Sequence, residues 1–282
     1  MKWRGRRGSS NIEDRRRMSA RGGGQIGIVG LLIVLGIGYF LGVDVTPLLQ
    51  GGGGTVQESA SVELTEADER AGQFVSVTLA DTEEVWSEIF RRQVGETYDP
   101  ATLVLFKGVT QSPCGGASGA TGPFYCPADN KAYLDTAFFT ALEKRMGAGG
   151  DFAAAYVIAH EIAHHVQNEL GILGQANSIR RQVSQAESNL ISVRIELQAD
   201  CLSGIWARAA QAKFGSLERG DIAEAMNAAK QIGDDALQRN AGRVPQPHTF
   251  THGTSEQRQR WFATGYESSD IRACDTFGTD NL

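Results

Sequence analysis

The 282-residue sequence predicts an α+β fold, mostly helical with one small β-sheet, behind a single apolar span. Three observations lead there. Apolar residues recur at helical spacing over long stretches, above all Asp151 to Leu170 and Ala176 to Phe214. Short runs rich in β-branched and aromatic residues are confined to the region from Thr102 to Leu134. Well upstream of both, Gly22 to Val43 holds no charged residue.

The chain starts with a basic arm, residues 1–21. Lys2, Arg4, Arg6, Arg7, Arg15, Arg16, Arg17 and Arg21 stand there against only Glu13 and Asp14, in a chain whose net charge is −6. About twenty apolar residues suffice to cross a bilayer, so residues 22–43 are expected to form a transmembrane helix. The positive-inside rule then leaves the arm in the cytoplasm and the rest of the chain outside it. A cleaved signal peptide is the alternative, but the run is long for one and no clear small-x-small site follows. Residues 44–65, with Gly51-Gly-Gly-Gly54, read as a flexible linker. A basic arm can also mark a nucleic-acid binder. The acidic remainder and the adjacent span speak against that class, so no nucleic-acid partner is expected.

Residues 66–282 form the remaining domain. Thr65-Glu-Ala-Asp68 and Asp81-Thr-Glu-Glu84 look like two helix starts, the second followed by a Val85, Trp86, Ile89, Phe90 stripe. Thr102 to Val109 reads as a buried strand, and Gly122 to Cys126 and Lys131 to Leu134 as short ones. Thr136 to Met146 reads as a short helix, broken by Gly147-Ala-Gly-Gly150. Ala176 to Phe214 is helical almost throughout. Asp221-Ile-Ala-Glu224 has the form of a capping box for a helix to about Gln238. Asn240 to Gly253, with Pro245 and Pro247, is a loop. Thr254-Ser-Glu-Gln257 opens a last helix through Trp261 and Phe262.

The chemistry concentrates in Asp151 to Leu170. His160-Glu161-Ile162-Ala163-His164 is an H-E-x-x-H, and on a helix its histidines stand one turn apart on one face. Two imidazoles so spaced can hold one Zn²⁺, with Glu161 beside them as a base toward water. Ala155, Ile158, Ile162 and Val166 on the opposite face are expected in the core. A catalytic zinc usually takes three protein ligands, so a third is needed. His165 is turned about 100° from His164 and reads as a polar residue on the helix flank. Gln167 and Leu170 stand where a metzincin carries Gly and His, which excludes that class. Glu196 and Asp200, four apart on the next long helix, remain. Glu196 is the candidate ligand. Asp200 is the candidate acceptor for the free ring nitrogen of a ligand histidine.

His160-Glu161-Ile-Ala-His164-His165-Val-Gln167, followed by Glu196-Leu-Gln-Ala-Asp200-Cys201, resembles the neutral zinc metallopeptidases of bacteria, small gluzincins with one membrane anchor. Gly122-Pro-Phe-Tyr-Cys-Pro127 and Thr251-His252-Gly253-Thr-Ser-Glu-Gln-Arg258 are similar too. The resemblance covers most of the chain after about Glu66. It implies a zincin-like (minigluzincin) domain, one catalytic zinc ion and a peptide or protein substrate, which it does not identify. The expected function is that of a membrane-anchored, zinc-dependent endopeptidase working outside the cytoplasm. His160, His164 and Glu196 hold the zinc, and Glu161 is general base to a zinc-activated water. His252, supported by Arg258, is the candidate partner for the oxyanion. That segment is similar to the His-Pro…Arg element of membrane-integral prenyl-protease-like zincins, with Gly253 in place of the Pro. In gluzincins the edge of a small sheet beside the zinc helix can pair with an extended peptide; a stapled surface loop is the equal alternative for Cys114 to Cys126. The other functional reading is a catalytically silent, zinc-binding, membrane-tethered interaction protein, which has no need of Glu161.

The four cysteines, Cys114, Cys126, Cys201 and Cys274, allow three pairings. None has C-x-x-C spacing. Outside the cytoplasm an even count favours disulfides. We expect Cys114 with Cys126, closing a short Gly-rich loop, and Cys201 with Cys274, tying the tail to the Glu196 helix.

Overall fold

The computed structural model describes residues 1–17, 63–118 and 122–282. The expected transmembrane helix, 22–43, and residues 44–62 of the expected linker lie outside them. Among the described residues no helix is long and apolar enough to cross a membrane.

Helix α1 (Glu66–Ile89) starts on Thr65, whose side chain accepts from the Asp68 N–H while Asp68 accepts from the Thr65 N–H. It runs on through Asp81, where a second start was expected, and ends in a π-turn, Phe90–Val94. Asp81 does not cap a helix because Arg6 claims it. The guanidinium donates to both carboxylate oxygens, at 2.7 and 2.6 Å. Burial pushes the Asp81 carboxyl up to about 6, against the pull of Arg6.

That contact belongs to the largest departure from expectation. The basic arm is not a separate tail: residues 1–17 are part of the domain. Strand β1 (Ile12–Asp14) pairs in parallel with β2 (Thr102–Phe106), Ile12 opposite Leu103 and Asp14 opposite Leu105. Arg16 is 5% exposed; it holds Asp14 and donates to the Asp68 carbonyl. Lys131 donates to Glu13 at 2.6 Å. Arg6, Arg7 and Arg17 of the arm thus pair with Asp81, Glu84 and Glu69 of α1, and Glu13 of the arm with Lys131.

Strands β3 (Val109–Ser112) and β4 (Gly115–Ser118) form a separate hairpin. β5 (Phe124–Cys126) and β6 (Lys131–Asp135) complete the main sheet, in the order β1-β2-β6-β5. β5 is one edge of the sheet, β1 the other, and β5 is its one antiparallel strand among the described residues. A disulfide joins Cys126 on β5 to Cys114 in the hairpin turn, as expected.

Helix α2 (Ala137–Met146) leads through the glycine break into α3 (Asp151–Glu169), which carries the H-E-x-x-H. Ala155, Ile158, Ile162 and Val166 are buried in the core, as their spacing predicts. The stretch expected to be one helix breaks instead into α4 (Ile172–Arg180) and α5 (Gln185–Phe214). Ser184 and Glu187 form the capping box that restarts it. Asp221 opens α6 (Asp221–Gln231) from inside the helix rather than as its cap, and the expected run to Gln238 is divided at Gly233, before α7 (Asp234–Asn240). Thr254 and Gln257 cap α8 (Ser255–Ser268) as expected.

α8 lies against α5 with the two backbones almost touching. A Cβ on Gly204 would meet the Phe262 carbonyl oxygen at 2.0 Å, and one on Gly265 the Cys201 carbonyl oxygen at 1.8 Å. Only glycine permits that approach, and it brings Arg258 on α8 up to Asp200 on α5. The Cys201–Cys274 disulfide ties α5 to the turn Ile271–Cys274 that follows α8.

Candidate metal centre

Three side chains converge where α3 crosses α5. His160, His164 and Glu196 bring ligand atoms that all lie within 4.8 Å of one another. The Glu196 carboxylate sits 3.0 Å from His160 Nε2 and 3.5 Å from His164 Nε2. Helical spacing explains the convergence: one turn separates the histidines on α3, and α5 presents Glu196 across the groove.

Each histidine is fixed from behind. His160 Nδ1 donates to Asp200 Oδ1 at 2.9 Å. The same carboxylate accepts from Tyr156 Oη at 2.5 Å and from Arg258, Nε at 2.8 Å and Nη2 at 3.0 Å. Asp200 thus holds His160. His164 Nδ1 donates to Gln167 Oε1 at 2.8 Å. Gln167 is in turn held through its own amide, which donates to the Ile195 carbonyl at 2.8 Å and to Gln198 Oε1 at 2.9 Å. In both rings Nδ1 is engaged and Nε2 faces Glu196. Two imidazoles of fixed tautomer and one carboxylate fit a zinc-type cation.

The electrostatics point the same way. Burial alone would lower the His160 pKa, but Asp200 and then Glu196 outweigh it and lift it to about 10. Burial would raise the Glu196 carboxyl, yet His164 and His252 hold it well below the usual carboxylate range. The pocket is built to hold positive charge. For Glu161 burial wins: its carboxyl is raised, against the pull of His164 and His160 and with the push of Glu196. Glu161 follows His160 directly on α3.

The remaining candidates divide. His252 is exposed, and its charge couples to Glu196. Asp234, which the sequence did not suggest, anchors it. Asp234 Oδ2 accepts the N–H groups of Thr251, His252 and Gly253 at 2.7, 2.6 and 3.1 Å, and Oδ1 lies 3.3 Å from His252 Nδ1. Arg258 is not where an oxyanion partner needs to be. It is 2% exposed, and its donors go to Asp200, Tyr156 Oη and the Ile232 carbonyl, behind His160. His165 is no flank residue either; it is 2% exposed, and it is not part of the cluster. Gln167 and Tyr156 also escaped sequence reasoning. Their signal was positional: Gln167 stands one turn after His164, and Tyr156 one turn before His160.

Comparison with known proteins agrees with this geometry. A family model described as "Putative neutral zinc metallopeptidase" matches residues 1–277. The chain is 45% identical to the uncharacterized protein YpfJ of Escherichia coli strain K12 over 289 residues, 99% of each chain. It is 44% identical to the uncharacterized protein Rv2575 of Mycobacterium tuberculosis strain H37Rv over 195 residues, 66% of this chain and 65% of that one. No solved structure matches it. With the family match spanning both the H-E-x-x-H helix and the Glu196 helix, the chain belongs to the family of neutral zinc metallopeptidases so described.

Proposed function

We propose that the protein is a zinc-dependent endopeptidase with its centre at His160, His164 and Glu196. One observation carries the reading: both histidines turn Nε2 toward one carboxylate, while Asp200 and Gln167 engage their Nδ1 atoms. When bound, the metal would polarise the scissile carbonyl and acidify a water. Glu161 accepts the proton from that water as its oxygen bonds to the carbonyl carbon. It then returns the proton to the amine nitrogen as the C–N bond breaks. A carboxyl raised by burial suits both steps better than an ordinary one. Against burial, Glu196 and Asp234 favour the imidazolium of His252, whose Nδ1 lies 3.0 Å from Thr251 Oγ1 and 3.3 Å from Asp234 Oδ1, so that its Nε2–H donates to the developing oxyanion. The extended peptide lies along β5, whose outer edge has no strand partner among the described residues.

The test is metal analysis of the full chain together with cleavage of a peptide library, wild type against Glu161→Gln. Stoichiometric zinc in both, with hydrolysis only by wild type, supports the proposal. Zinc without any hydrolysis by wild type would favour the silent interaction protein instead.

A further inference from the structure

The second histidine of the His164-His165 pair has no part in the metal cluster, yet it is buried on the catalytic helix. Its two nitrogens reach two different elements. Nε2 lies 2.6 Å from the Asp99 carbonyl oxygen, just ahead of β2. Nδ1 lies 3.1 Å from the Tyr125 hydroxyl, on β5. A carbonyl can only accept, so Nε2 carries the hydrogen. In the neutral ring Nδ1 is then bare, and the single hydrogen of the Tyr125 hydroxyl has two acceptors in reach, His165 Nδ1 at 3.1 Å and Asn130 Oδ1 at 3.2 Å. Both aromatic neighbours close on the ring: Tyr98 and Tyr125 each stand edge-on with centroids 5.6 Å away.

Tyr125 is the one residue of β5 suited to this contact. Successive strand side chains point to opposite faces. Phe124 stacks on Tyr133 at 4.9 Å, and Cys126 packs with Val104 and Phe106. Tyr125 alone turns to α3. β5 has three residues and one neighbouring strand, so the ladder by itself holds it weakly.

We propose that His165 is a positioning residue for substrate: it pins the edge strand β5 to the metal helix, so that a peptide paired to β5 is presented in register with the metal centre. The inference rests on the hydrolytic reading above for the peptide, and on geometry alone for the pinning. It also accounts for a histidine at this place, since the two bonds need one donor and one acceptor on a rigid ring.

The experiment uses the full-length, zinc-loaded protein with His165→Phe, Tyr125→Phe and the double variant. Phenylalanine keeps the ring packing and removes the hydrogen bonds. Tyr125 is only half-buried, so its variant tests the contact even if His165→Phe fails to fold. Zinc content should remain stoichiometric in all three. Amide exchange at Phe124 to Cys126 should quicken by about tenfold, the weight of one hydrogen bond. KM for an extended peptide should rise by about as much, with kcat within about twofold. The double variant should be no worse than the His165 variant. Unchanged exchange at β5 would overturn the pinning, as would loss of zinc from Tyr125→Phe. Faster exchange with KM unchanged and kcat reduced would overturn the substrate role. A wild type that holds zinc and cleaves no peptide would end the hydrolytic reading, and with it the substrate role. Exchange would still decide whether His165 pins the strand.

Discussion

Replacing Asp200 by alanine should damage the fold and the metal site together, by separable amounts. Its carboxylate is fully buried and accepts from Tyr156, His160 and, twice, Arg258. Burial would raise its pKa, but Arg258 and then His160 hold it below the usual range, so it is ionised. Removing it strands the Arg258 guanidinium, itself 2% exposed, without a counter-ion. Breaking a buried pair from one side costs about 3–5 kcal/mol. That is a large share of the roughly 5–15 kcal/mol by which domains are stable. The metal site should weaken as well, by about 10–100-fold in zinc affinity, because His160 loses the acceptor that orients it. A second substitution separates the two effects. Asp200→Ala with Arg258→Met removes both charges of this pair, so most of the stability should return, whereas zinc affinity should stay low. The assay is urea unfolding of the metal-free protein, with zinc titration of each variant. A single variant within about 1 kcal/mol of wild type would refute the reasoning, as would a double variant as unstable as the single.

Glu196→Ala should lose zinc at moderate metal concentration, since only two nitrogen ligands remain; stoichiometric zinc in that variant would mean the third ligand lies elsewhere. Glu161→Gln should fold and keep zinc but lose hydrolysis, because an amide cannot take the proton of water; residual turnover near wild type would remove Glu161 from the chemistry. His252→Ala should keep zinc and lower kcat by about 10²–10³-fold, with Asp234→Ala in between, since it frees the Thr251–Gly253 backbone that carries the imidazole. Kinetics in which both change KM alone would place His252 in binding instead.

The convergence of His160, His164 and Glu196 was legible because its geometry is mostly helical arithmetic. One turn separates His160 from His164 and Glu196 from Asp200, and spacing within a helix survives any packing. What the sequence concealed depends on partners far along the chain. Asp81 has the form of a cap, and nothing local says that Arg6 will take its carboxylate. Arg258 looked free to meet substrate until two glycines, Gly204 and Gly265, brought its helix within reach of Asp200. Asp234 is an ordinary acidic residue until three backbone N–H groups turn toward it. His165 was read from its angle on α3, which sets it apart from His164. The angle could not reveal that a strand and a loop waited on that side.

The arm raises a question of topology that contacts can answer. β1 pairs with β2, Arg6 grips Asp81, and Arg16 is buried against α1. All of these need residues 1–17 and the domain in one aqueous phase. A single crossing by residues 22–43 would put them in opposite phases, so the docked arm and the single crossing exclude each other. If the arm is docked, Arg6→Ala leaves a buried carboxylate without its partner and should lower stability by about 1–3 kcal/mol. If it lies across a membrane, the same change should do nothing to the domain. The more direct measurement places cysteines at both ends of the pair, Arg6→Cys with Asp81→Cys, and adds a short membrane-permeant thiol cross-linker to intact cells. The contacts predict an internal cross-link under those conditions, since the two guanidinium–carboxylate bonds are 2.7 and 2.6 Å. A cross-link that forms only after detergent extraction would show that the arm docks when the bilayer is gone, and would restore the cytoplasmic arm and extracytoplasmic domain that the charge pattern suggests.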